Sequence, residues 1–76
     1  MAMRHGMKRF HLYRMVDESG VSGVGRVAEG VCFSNGRCVL SWLTRTSSIA
    51  IYDNIDDVEM IHGHNGQTYV VWEGEA

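Results

Sequence analysis

The residues best suited to chemistry in this chain are two histidines, His62 and His64, in the stretch "IHGHNGQ". Imidazole is a common metal ligand and a general base near neutral pH. A catalytic zinc needs about three protein ligands and a structural zinc about four. Neither a Cys-x-x-Cys nor a His-Glu-x-x-His motif accompanies the pair. The sequence therefore predicts no metal site, no cofactor and no catalytic site here.

A structural role accounts for most of the same stretch. His62 would close a short helix, where a positive side chain meets the negative end of the helix dipole. Gly63 would follow as a C-cap with positive φ, and Asn65-Gly66 would turn the chain into a last strand. His64 has no structural duty in this interpretation, so it is kept as a candidate binding residue.

Two cysteines, Cys32 and Cys38, lie on either side of Asn35-Gly36, the strongest short-range hairpin signal in the chain. A two-residue loop would set Cys32 opposite Val39 rather than opposite Cys38. The two thiols would then point to opposite faces of the sheet, because side chains alternate along a strand. This register predicts neither a disulfide nor a shared metal site.

The same register predicts a core face and a candidate site at its edge. It sets Glu29 opposite Trp42. A carboxylate beside an indole could form a ligand platform, whereas a partly buried Trp with a bonded N–H is the structural alternative. Glu29 and Trp42 are therefore candidate binding residues. The predicted core face consists of Val31, Phe33, Cys38 and Leu40.

A glycine-rich stretch, "ESGVSGVG", precedes the second strand. Its G-x-x-G-x-G spacing reverses the dinucleotide fingerprint, and no helix follows to receive a pyrophosphate. It predicts no nucleotide site of that kind. A glycine-rich loop can still approach a ligand or partner backbone closely, so Ser22 and Gly23 are candidate binding residues.

Basic and aromatic side chains are interleaved in the first strand, "RFHLYRM". That pattern is typical of surfaces that bind single-stranded nucleic acid, and it makes Tyr13 and Arg14 candidate binding residues. The chain as a whole has a net charge of -2, whereas nucleic-acid-binding domains of this size are usually basic. Nucleic-acid binding is therefore kept as an alternative.

Patterning along the chain predicts five strands and one short helix. Strand patterns cover residues 9–15, 24–33, 37–45, 47–53 and 67–73, and Asn54 is placed to cap a helix before the last of them. The order β-β-β-β-α-β predicts a mainly β protein, a small five-stranded SH3-like barrel with one short helix. An open α+β sheet with the helix on one face is the alternative. We predict a flexible leader at 1–8 and one globular domain at 9–74.

Length and charge predict an assembly rather than an isolated monomer. A chain of 76 residues buries a small core, and folds of this size usually depend on a disulfide, a metal or a partner chain. Residues 1–45 hold seven basic and three acidic residues, whereas residues 46–76 hold six acidic ones and no Lys or Arg. We therefore expect a homodimer or larger assembly. No apolar run is long enough to span a membrane, and no secretory signal is recognisable, so we expect a cytoplasmic protein.

Several stretches together resemble a known family: "FHLYR", "SGVSGVGRVAEGVCFSNG", "VLSWLT", "IYDNIDDVEMIHGHNG" and "VVW". The chain is similar, from Phe10 to Trp72, to a family of short uncharacterised proteins of bacteriophages and bacterial genomes. The resemblance carries no functional residues over. It implies a small accessory protein, phage or prophage encoded, that acts in the bacterial cytoplasm.

The sequence thus predicts a non-enzymatic binding module that acts by protein–protein interaction and antagonises a host component. The alternative is a protein that sequesters nucleic acid or a small ligand. A metal-dependent hydrolase built on His62 and His64 is the remaining hypothesis.

Overall fold

The computed structural model describes residues 6–15, 24–63 and 66–74. Of the predicted leader, residues 1–5 lie outside these ranges, as do Ser22, Gly23 and His64. The described elements are β1 Lys8–Arg14, β2 Gly25–Cys32, β3 Cys38–Trp42, β4 Ile49–Tyr52, α1 Ile55–His62 and β5 Thr68–Trp72.

The five strands form one antiparallel sheet in the order β4-β3-β2-β1-β5. The first four strands form a meander, and β5 returns beside β1, with Trp72 opposite Phe10. The predicted mainly β class and the helix before the last strand are confirmed. The described strands leave β4 and β5 as edges, so the sheet is open rather than closed into a barrel.

The core lies between one face of the sheet and α1. Phe10 and Leu12 alternate on β1 as predicted and are buried, and Leu40 of β3 is buried beside them. Val58 reaches the same cluster from the helix. Because strand side chains alternate, the residues between these buried ones, such as His11 on β1, lie on the opposite face.

The helix begins and ends as predicted. Asn54 has an extended backbone, and its Oδ1 accepts a hydrogen bond from the backbone N–H of Asp57 at 2.9 Å. That bond satisfies one of the free N–H groups of the first turn. Val58 is buried, whereas Ile61 is exposed, so the packed side of the helix is narrower than predicted. No helix within the described ranges is long and apolar enough to span a membrane.

The β2–β3 hairpin differs from the prediction by one residue. Gly36 has φ +95, and its N–H bonds to the carbonyl of Phe33 at 2.9 Å, while the N–H of Phe33 bonds to Arg37 O at 2.8 Å. This is a three-residue loop ending in a left-handed glycine, rather than a two-residue loop. Cys32 therefore lies opposite Cys38.

The shifted register corrects three predictions. The two cysteines share one face of the sheet instead of pointing apart. Val31 lies away from the helix, and Phe33 is 41% exposed in the turn, so neither belongs to the core face. Trp42 lies opposite Ala28, so the predicted pairing of Glu29 with Trp42 is wrong.

Gly63 caps the helix by a different mechanism from the one predicted. Its φ is -70 and its ψ is -27, which is right-handed helical backbone rather than the expected positive φ. Its N–H bonds to the carbonyl of Glu59 at 2.8 Å, and a Cβ built on Gly63 would lie 2.5 Å from that oxygen. Glycine is required here because a side chain would collide with the carbonyl of Glu59, and not because the backbone is left-handed. Positive φ occurs instead at Gly66.

Candidate functional site

The helix packs on one face of the sheet, and we call the opposite surface the helix-free face. Directly paired residues of neighbouring strands share a face, so the strand registers define its members. They include polar, aromatic and aliphatic side chains: Arg9, His11, Tyr13, Arg26, Glu29, Val31, Val39, Ser41, Ile49, Ile51, Tyr69, Val71 and Glu73.

An apolar stripe crosses this face toward the β4 edge. Val31 pairs with Val39, and Val39 pairs with Ile51, so three β-branched side chains stand in one row. Ile49 lies on the same strand and face as Ile51. The two isoleucines are 66% and 70% exposed. We define the apolar stripe as Val31, Val39, Ile49 and Ile51.

A charged cluster lies on the other side of the same face, where β5 meets β1. His11 Nδ1 donates to Glu73 Oε2 at 2.8 Å, and Arg26 Nη2 lies 3.2 Å from the same oxygen. The hydrogen bond from His11 lowers the pKa of Glu73, and the charges of Arg26 and Arg9 lower it further. We define the charged cluster as His11, Arg26 and Glu73.

A shallow pocket of about 370 Å³ lies between the apolar stripe and the charged cluster. Its chemistry is mixed, with one guanidinium, two carboxylates, a hydroxyl and two valines. Such a lining suits a side chain that has both an apolar body and a polar end. The two carboxylates outnumber the single cation, which disfavours a polyanion. The lining residues are Arg9, Phe10, Glu29, Gly30, Val31, Val39, Ser41 and Glu73.

Two of the candidate binding residues, Glu29 and Tyr13, lie on the helix-free face. Glu29 lines the pocket. Tyr13 lies further along the face, 41% exposed, with its ring centroid 5.8 Å from that of Tyr69. Ser22, Gly23 and His64, which were also candidates, fall outside the described residues.

The other two candidates point to the helix side of the sheet. Arg14 is buried, and its Nε donates to Thr68 Oγ1 at 3.0 Å. Trp42 packs edge-on against His62, with ring centroids 5.0 Å apart. The structure therefore separates Arg14 and Trp42 from Tyr13 and Glu29.

His62 has a packing role as well as its place at the end of the helix. Tyr52 and His62 share a hydrogen bond of 2.6 Å between Oη and Nε2. Burial raises the pKa of Tyr52, so the hydroxyl keeps its proton. Among the described residues, no group of three or more His, Cys, Asp or Glu side chains is placed to hold a metal ion.

Sequence reasoning missed the charged cluster. The alternation of His11 with the buried Phe10 and Leu12 placed it on the exposed side of β1, and this was the available local signal. Its partner Glu73 is 62 positions away along the chain and meets it only because β5 pairs with β1. Arg26 gave no comparable signal.

These features define a class of protein: a small, mainly β chain whose open five-stranded sheet carries a helix on one face and a mixed apolar and charged surface on the other. Residues 7–74 match the model of a family described as Acb5 phage protein, and the chain belongs to that family. The resemblance seen in the sequence is thereby confirmed. No curated protein and no solved structure matches the chain.

Proposed function

We propose that this phage protein is a non-enzymatic binding module that docks a host protein through the helix-free face. The observation that carries the proposal is the exposure of Ile49 and Ile51 in a continuous apolar stripe beside a charged cluster. Protein interfaces commonly have this anatomy, an apolar centre with a polar rim.

The two parts of the face would contribute differently to binding. Covering an exposed isoleucine contributes about 1.5–3 kcal/mol when the side chain becomes fully buried. The charged cluster and Glu29 would set the orientation of the partner and exclude partners with the wrong charge pattern. The pocket between them is placed to receive one protruding side chain of the partner.

The test is affinity capture from bacterial lysate with a matched pair of variants. Ile51→Asp puts a charge in the apolar stripe, while Met60→Asp puts the same charge on the helix, where Met60 is 79% exposed. We expect Ile51→Asp to lose a specifically captured host protein and Met60→Asp to retain it. Circular dichroism of both variants establishes that each is folded. Equal capture by Ile51→Asp and the wild type would exclude the helix-free face.

A second candidate function, small-ligand binding, is favoured by the pocket alone. Arg9 and Ser41 offer hydrogen-bond donors, while Glu29 and Glu73 favour a ligand with a cationic group over a nucleic acid. Mass spectrometry of material released by denaturing the purified protein tests this directly. Binding to oligonucleotides that weakens steeply with salt would instead support the nucleic-acid alternative.

A further inference from the structure

The shifted hairpin register brings the two thiols directly opposite each other. Phe33 N–H bonds to Arg37 O, and Leu43 N–H bonds to Val27 O, which marks the hydrogen-bonded pairs of the β2–β3 ladder. These pairs alternate with non-hydrogen-bonded pairs, and Cys32 with Cys38 is one of the latter.

This kind of pair has the geometry that a disulfide needs. In a non-hydrogen-bonded pair the Cα atoms are typically about 4.5 Å apart and the side chains approach most closely. A disulfide spans Cα separations of roughly 4.4–6.8 Å. Both cysteines are free thiols in this structure, and their side chains project on the same face. A bond between them would need no change of register.

The two thiols have different surroundings. Cys38 Sγ donates to the carbonyl of Gly36 at 3.5 Å. Cys38 is fully buried, whereas Cys32 is partly exposed. Burial, together with the hydrogen bond to Cys38, raises the pKa of Cys32 to about 12.

We propose that Cys32 and Cys38 form a dithiol site that reacts with a disulfide oxidant, such as glutathione disulfide, and closes to a cross-strand disulfide. Cys32 is the attacking thiol because it is the accessible one, and Cys38 is the resolving thiol. This site is separate from the helix-free face, since both thiols lie on the helix side of the sheet.

The reaction proceeds in two exchanges. The Cys32 thiolate attacks one sulfur of glutathione disulfide, the S–S bond breaks, and one glutathione leaves and takes up a proton. Cys38 then loses its proton and attacks the Cys32 sulfur, and the second glutathione leaves. Two protein thiols are oxidised, and one glutathione disulfide is reduced to two glutathiones.

The environment of Cys32 sets the rate of the first exchange. The thiolate is the reactive species, and its fraction is small at neutral pH because burial raises the pKa of Cys32. The reaction should therefore be slow at neutral pH and faster as the pH rises. Once formed, the bond restricts the unfolded chain and should raise the Tm of the protein.

The test treats the full chain with glutathione disulfide at neutral and at alkaline pH. We expect an intramolecular product that has lost two hydrogens in mass, faster formation at alkaline pH, and a higher Tm that reverts on reduction. Non-reducing electrophoresis distinguishes this product from disulfide-linked dimers. Formation of dimers, or of a glutathione adduct that never closes, would overturn the proposal.

A pair of serine variants separates the two roles. Cys38→Ser should accumulate one glutathione on Cys32, because no resolving thiol remains. Cys32→Ser should stay unmodified while folded, because Cys38 is buried. If Cys32→Ser reacts as fast as Cys38→Ser in the native state, the assigned roles are wrong. The wild-type product remains a valid test should either variant fail to fold.

Discussion

Two glycines in this protein are required by close contact rather than by an unusual backbone conformation. A Cβ on Gly30 would lie 2.5 Å from Cζ of Phe10 and 2.6 Å from the carbonyl oxygen of Val39. The absence of a side chain at Gly30 lets the Phe10 ring lie against β2 and meet Trp72 edge-on at 5.6 Å. At Gly63 the obstructing atom is a backbone carbonyl, which cannot rotate aside as a side chain can.

Gly63→Ala should therefore destabilise the protein even though its φ is negative. The added methyl group would be forced against Glu59 O, and the last turn of α1 would have to shift. We expect the free energy of unfolding to fall by about 1 kcal/mol or more. Urea denaturation measures this, with Gly6→Ala as the control because nothing lies within 4 Å of a Cβ there. Equal stability of the two variants would contradict the contact.

For single residues, the sequence predicted those roles that depend on neighbours close along the chain. Asn54 was recognisable as a cap because its side chain bonds only three residues ahead. Gly63 was recognisable as a helix end, but its conformation depends on how the following residues return toward β5. The contact between Gly30 and Phe10 had no sequence signal, since it arises only when β1 and β2 pair.

Glu73, which directly follows β5, interacts with residues of two other strands. Its carboxylate contacts His11 of β1 and Arg26 of β2. Its backbone N–H also donates to the carbonyl of Arg9 at 2.9 Å. The charged cluster therefore stabilises the strand pairing as well as contributing charge to the helix-free face. It holds the C-terminal end of β5 against β1 and β2, which lie much earlier in the sequence.

Glu73→Gln should flatten the dependence of stability on acid pH. The fold lowers the pKa of Glu73 below its usual 4.5, so the carboxylate stabilises the protein above that pH. This contribution is lost as the pH falls below 4.5 through the lowered pKa. We expect the Tm of the wild type to fall more steeply in that range than the Tm of Glu73→Gln.

Thermal melts in a series of acidic buffers measure the difference. Glu59→Gln, an exposed change on the helix, is the matched control and should keep the wild-type slope. A Glu73→Gln variant with the same acid slope as the wild type would show that the cluster does not couple protonation to folding.

The β2–β3 hairpin shows why the sequence predicted the elements correctly but predicted the pairing of their residues wrongly. Asn35-Gly36 correctly marked a turn between β2 and β3. Both two-residue and three-residue loops place glycine at a position of positive φ, so the dipeptide alone does not distinguish them. Gly36 in the last loop position moved every pair by one residue, which exchanged Val31 and Cys32 between the two faces.

At the scale of the whole molecule, the charge split along the sequence does not persist in space. Ion pairs join the basic and acidic parts of the chain, Arg26 with Glu73 at 3.2 Å and Arg37 with Asp53 at 3.6 Å. Positions along the sequence could not predict these ion pairs, because they form only where the fold brings distant strands together, as where β5 pairs with β1. Complementary charge is thus a weaker basis for self-association than the apolar stripe.

We predict that the protein forms a homodimer at micromolar concentration through the apolar stripe, so that a second copy and a host protein compete for the helix-free face. Ile51→Asp should shift the protein to a monomer, while Met60→Asp should leave the dimer intact, because Met60 lies on the helix. Added salt should change the dimer little, since screening acts on charges and not on apolar contacts. Sedimentation equilibrium over a range of concentrations measures each case. A wild-type monomer at high concentration and low salt would contradict the prediction.

The position of β1 inside the sheet, between β2 and β5, has a consequence for how the chain folds. β2, β3 and β4 each pair with the strand before them, whereas β5 completes the free edge of β1 across about sixty residues of sequence. Closing so long a loop carries an entropic cost that grows with the logarithm of its length, and it slows folding relative to local pairing. During synthesis β1 therefore keeps one unpaired edge until the last strand emerges, and a nascent chain lacking β5 presents that edge to other strands.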